Sequence, residues 1–122
     1  MPRMEWDDLV ERHPGSGTVH ARITPVRGSR YLRGLRSLLH KLMEKDAPAA
    51  AYATKLAPGE DVTELLCAFA ETAHAEAFAH RVGADRLKAE AHRWHFELDA
   101  AKHVQLAGQV EELERNRKPE RT

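Results

Sequence analysis

Glu71-Thr72-Ala73-His74 sets a carboxylate and an imidazole three residues apart, and His92-Arg93-Trp94-His95 does the same with two imidazoles. On a helix such groups stand one turn apart, where four of them can hold zinc, or iron if a further carboxylate such as Asp99 joins. Glu-x-x-His stands here once, whereas di-iron carboxylate bundles carry it twice. Zinc or iron is the expected cofactor if Glu71, His74, His92, His95 and Asp99 converge; otherwise no cofactor is expected. A different chemistry belongs to Arg22, Arg27, Arg30, Arg33, Arg36 and Lys41. Cationic side chains in series neutralise phosphates or carboxylates, and the helix start at Ser29 can add amide donors to a phosphate.

The charges behind that second chemistry are segregated. Nineteen bases balance nineteen acids over the chain, yet Arg12 to Lys41 holds seven bases and no acid, while Glu60 to Glu114 holds twelve acids and five bases. A dipolar charge distribution steers a polyanion to one end or brings copies together head to tail. Signs of catalysis are weak. Cys67 is the single cysteine and has no evident activating base. Gly15-Ser16-Gly17 lacks the lysine and preceding strand of a phosphate loop, and no spacing selects a Ser-His-Asp triad.

To gather the histidines, the C-terminal half must fold as two adjacent helices. Pro58-Gly59 halts the preceding element, Asp61 with Glu64 has the form of a capping box, and Leu66, Phe69, Ala70, Ala73 and Ala77 recur at helical spacing. Gly83 is placed to end that helix, Asp85 to cap the next, and Leu87, Ala91, Trp94, Leu98 and Ala101 to form a seam. Helices over 61–82 and 85–115 joined so tightly make an antiparallel hairpin. One side of it then carries Cys67, Glu71 and His74 beside His92, His95 and Asp99, with His74 level with His92 and Glu71 with His95. The same side continues through Phe78, Phe96, His103, Leu106, Val110 and Leu113, a surface expected to receive helix 30–45 or, as a self-association surface, a second copy in a homodimer.

The remaining segments follow from their punctuation. A short helix over 4–12 is ended by His13-Pro14-Gly15-Ser16-Gly17, and 18–26 reads as an extended basic arm because no second strand is evident to pair with it. A helix over 30–45 buries Leu32, Leu35, Leu39, Leu42 and Met43 and turns Arg30, Arg33, Ser37 and Lys41 outward. Pro48 opens a short helix to residue 57, and the charged residues 117–122 with Pro119 form a frayed tail. The expected fold is all-α: residues 1–28 form the N-terminal helix and arm, and 29–116 a small helical bundle built on the C-terminal hairpin. With one cysteine, no apolar leader in Met1-Pro2-Arg3-Met4-Glu5-Trp6 and no span of about 20 apolar residues, a cytoplasmic protein with no membrane contact is expected. The leading functional expectation is a non-enzymatic adaptor or regulator that contacts nucleic acid or an acidic protein through its arginine-rich N-terminal half. A metal-binding helical protein is the alternative.

Overall fold

Val19, Ala21 and Ile23 alternate with Thr18, His20 and Arg22, which is the period of a strand with one buried face. A computed structural model describes residues 4–13, 16–23, 29–46, 51–58, 62–86 and 92–117, and in it this segment is strand β1 (Gly17–Ile23) at the centre of a sheet. The other strands are β2 (Tyr52–Pro58), β3 (Thr63–Phe69), β4 (Asp85–Arg86) and β5 (Arg93–Leu98), in the spatial order β2-β3-β1-β5-β4. β1 pairs antiparallel with β3, placing Val19 beside Cys67, and parallel with β5, placing Val19 beside Trp94. The helices are α1 (Trp6–Arg12), α2 (Ser29–Asp46), α3 (Thr72–Val82) and α4 (Ala100–Arg117).

The expectation of an all-α bundle is therefore corrected to a mixed α/β fold, and the C-terminal helical hairpin does not form. The helix expected over 61–82 divides into β3 and the shorter α3. The one expected over 48–57 is largely β2, and that over 85–115 becomes β4, β5 and α4. The extended arm is no arm, because its partners lie far along the chain. β3 misleads for a physical reason: Leu65, Cys67 and Phe69 are buried in the main core while Leu66 and Ala68, the latter buried with Leu9 of α1, make the second face partly apolar, so period 2 is blurred in the sequence even though burial alternates over 63–67. In β5 the alternation is plain. Trp94, Phe96 and Leu98 are buried together, and Arg93, His95 and Glu97 face the other way.

Helices α2, α3 and α4 cover one face of the sheet, and α1 lies across β2 and β3 on the other. The apolar stripe of α2 meets the core as expected, with Leu35, Leu39, Leu42 and Met43 fully buried and Leu32 nearly so. Arg81 of α3 grips Asp46 at the end of α2 through two bonds, Nε to Oδ2 at 2.7 Å and Nη2 to Oδ1 at 2.8 Å. The bond from Arg81 Nε holds the guanidinium firmly in its charged form, since its pKa is raised above the ordinary arginine value chiefly by that carboxylate. Gly83 ends α3 as expected, at φ 74°, with the Ala84 amide donating to Ala79 O at 2.8 Å. The chain then enters β4 instead of a second helix.

Gly17 lets α3 approach β1 closely: a Cβ at this position would stand 2.6 Å from Ala75 Cβ. Gly17→Ala is expected to cost about 1–3 kcal/mol through overpacking. Gly34→Ala on exposed α2, where an added Cβ meets nothing within 4 Å, is expected to gain about 0.5–1 kcal/mol. Urea unfolding of the two variants checks both signs.

Candidate anion-binding cleft

The arginines of α2 sort by helical phase. Arg30, Arg33, Ser37 and Lys41 are exposed, and Arg36 and His40, half-buried on the flank between that edge and the apolar stripe, lie over β2. β2 is an edge strand, and an edge leaves outward-pointing carbonyls to be satisfied. Arg36 donates from Nε to Thr54 Oγ1 at 2.9 Å and from Nη2 to Thr54 O at 3.2 Å. His40 Nε2 is 2.8 Å from the same hydroxyl, and the Met4 amide donates to Tyr52 O at 2.8 Å. The segment that closes the edge from below, Met4 to Trp6, and the flank of α2 leave between them a cleft of about 670 Å³. Its lining is Met4, Glu5, Trp6, Arg33, Arg36, Ser37, His40 and Thr54.

Arginines outnumber carboxylates in this region. The first turn of α2 carries no acid, and among the described residues neither Arg30 nor Arg33 forms an ion pair. Lys41 meets Glu114 at 3.2 Å, with both groups about half exposed, so water and salt leave this pair little strength. Among the described residues that line the cleft, Glu5 is the one carboxylate. Arg22, by contrast, is on the far face of the sheet beside Glu97, its cross-strand neighbour, at 3.3 Å. The series read along the sequence is thus split between two faces, and Arg27 lies outside the described residues.

The metal-ligand set does not come together. His95 faces away from the three helices, beside His20 on β1, whereas His74 is on α3 on the opposite side of the sheet. Glu71 precedes α3, its carboxylate 4.0 Å from His74 Nδ1, and that nitrogen has no hydrogen bond. His92 is exposed at the start of β5, with φ 70°. Asp99 accepts the Lys102 amide at 2.9 Å and so caps α4. Among the described residues no three His, Cys, Asp or Glu side chains are grouped to hold an ion. The composite patch required a helical hairpin, and two of its histidines instead belong to the strand segment around β5.

Phe78, Phe96, Leu106 and Val110, expected to face a second copy, are buried in this chain's own core, and Leu113 packs against it. His103 joins α4 to α2 through Tyr31, whose hydroxyl is 2.9 Å from Nδ1. Sequence reasoning passed over Trp6, His40 and Thr54. The spacing of Arg33, Arg36 and His40 could have revealed one helix flank, but Thr54 and Trp6 join it only through the sheet.

No protein-family model matches the chain, and no curated protein or solved structure is significantly similar to it. Among the described residues no helix is long and apolar enough to cross a membrane.

Cys67 is the cross-strand neighbour of Thr54, the residue that Arg36 binds. Burial pushes its thiol up to about 12, against a smaller opposite pull from the Arg36 charge. A group so placed is a packing residue and not a nucleophile. The native protein at pH 8 is expected to resist an aromatic disulfide reagent, with one thiol appearing in denaturant; rapid native labelling would contradict this burial.

Proposed function

We propose that the protein is a non-enzymatic binding module that engages nucleic acid through the exposed edge of α2. The observation that carries this reading is the arrangement of Arg30, Arg33, Ser37 and Lys41 on the solvent side of a helix whose other side is anchored in the core. A helix so anchored presents its cations at fixed spacing, so little side-chain and backbone order has to be created on binding. Arginine favours phosphate because its planar fork donates two parallel hydrogen bonds, and serine adds a neutral donor between the charges. Arg22 on the far face of the sheet is paired with Glu97, whereas Arg30 and Arg33 have no ion pair among the described residues and remain to attract a polyanion to the α2 side.

The alternative of a metal protein is not carried forward, because the ligands expected for it are distributed over both sides of the sheet. Self-association remains compatible with a binding module, but the apolar residues expected to drive it are engaged within the chain.

Replacing Arg30 and Arg33 together with alanine is expected to abolish most binding to a nucleic-acid duplex while the circular dichroism spectrum stays unchanged. For the unmodified protein the logarithm of the binding constant should fall steeply with the logarithm of salt concentration. Losing two phosphate contacts should reduce that slope by about 1.8. Binding that ignores salt, or that survives the double substitution intact, would refute the reading and favour an acidic protein surface recognised elsewhere.

A further inference from the structure

The cleft beside α2 holds more than a helix edge needs in order to touch a phosphate backbone. Its volume of about 670 Å³ falls within the range of small-molecule pockets, roughly 300–1,000 Å³, and far exceeds one phosphate group. Its two walls differ in chemistry. One is cationic and polar, with Arg33, Arg36 and His40; the other is Trp6, whose indole packs against the small cluster of Leu9, Ala53 and Ala68 and also lines the cleft.

Arg36 is the best organised of the cations. Its Nε and Nη2 are held by Thr54, which fixes the guanidinium plane, and its Nη1 makes no hydrogen bond among the described residues. A guanidinium held on one edge by the protein keeps donors on its other edge for an anion, without having to be ordered when the anion arrives. Arg33, one turn earlier, is exposed and unpaired among the described residues, and can close on the same anion. Glu5 precedes Trp6 in the opposite wall, where its carboxylate repels a phosphate but accepts a hydrogen bond from an amino group.

We propose that this cleft takes a single nucleotide of a single-stranded nucleic acid, with the phosphate against Arg33, Arg36 and His40 and the base on Trp6. The proposal rests on the nucleic-acid reading above and specifies its ligand. A duplex keeps its bases stacked and paired, so it offers the cleft a phosphate and no base; an unpaired base can swing out onto an aromatic face. The exposed edge of α2, with Arg30 and Lys41, then follows the backbone of the neighbouring nucleotides.

The test compares a short oligothymidine with a duplex of equal length at one salt concentration. Tryptophan emission is read in a Trp94→Phe background that leaves Trp6 as the sole tryptophan. The single strand is expected to bind at least about tenfold more tightly and to quench Trp6, and Trp6→Leu should bring the single-strand affinity down to that of the duplex. Glu5→Gln should strengthen binding of both. Equal affinities with unmoved Trp6 emission would overturn the cleft proposal and leave the helix-edge reading standing. Should neither polymer bind, the helix-edge reading falls. The cleft is then judged by titrating a free mononucleotide against the wild-type Trp6 indole and His40 ring resonances. Shifts in both support a nucleotide site; no shift, or shifts that inorganic phosphate reproduces in full, overturn it. The same titration decides the matter if either tryptophan variant fails to fold.

Discussion

Strand β1 is hydrogen-bonded on both edges, and the rest of the molecule is arranged around that double pairing. Antiparallel contact with β3 on one side brings in the β2–β3 pair; parallel contact with β5 on the other brings in β4 and the start of α4. A strand held in this way cannot shift by one residue without turning Val19, Ala21 and Ile23 out of the core and His20 and Arg22 into it. At its N-terminal end the backbone touches α3, because Gly17 offers no side chain to hold the helix away. The positions of α3 and the sheet are thus set by one close contact and one register.

An open sheet has edges, and the treatment of the β2 edge produces the site. Tyr52 O and Thr54 O point outward and are satisfied by the Met4 amide and by Arg36. Both groups come from segments that pack elsewhere, Met4 from the strap leading into α1 and Arg36 from α2. Bringing a strap and a helix to the same edge leaves a recess between them. Arg36 therefore protects a backbone carbonyl, presents a charge to the recess and lies near the buried thiol of Cys67. The same arginine is structural on one edge and available on the other.

The charge segregation seen along the chain survives folding only in part. Arg30, Arg33 and Lys41 remain together because they share a helix, whereas Arg22, nearby in sequence, is on the other side of the sheet and next to an acid. The histidines separate for the same reason. His20 and His95 become cross-strand neighbours on the face away from α2, α3 and α4, His40 joins the cleft, His74 stays on α3, and His103 links α4 to Tyr31.

Helix α2 and its two faces are determined by the chain alone, because its apolar residues repeat every three or four positions and its partners for hydrogen bonding are local. The short N-terminal helix and the helix end at Gly83 belong to the same class, the latter set by a left-handed backbone conformation that glycine adopts without cost. The sheet does not belong to it. Thr63–Phe69 has apolar residues on both faces, Glu64 excepted, and is rich in residues that also favour helices, and Gly17–Ile23 shows alternation but no neighbour within reach. Gly17–Ile23 becomes a strand only by pairing with β3 and β5, forty or more residues further along the chain, and Thr63–Phe69 by pairing both with that strand and with its sequence neighbour β2, since a ladder takes its hydrogen bonds from another part of the chain. That pairing separates the expected metal ligands and brings Trp6, Arg36, His40 and Thr54 to one cleft.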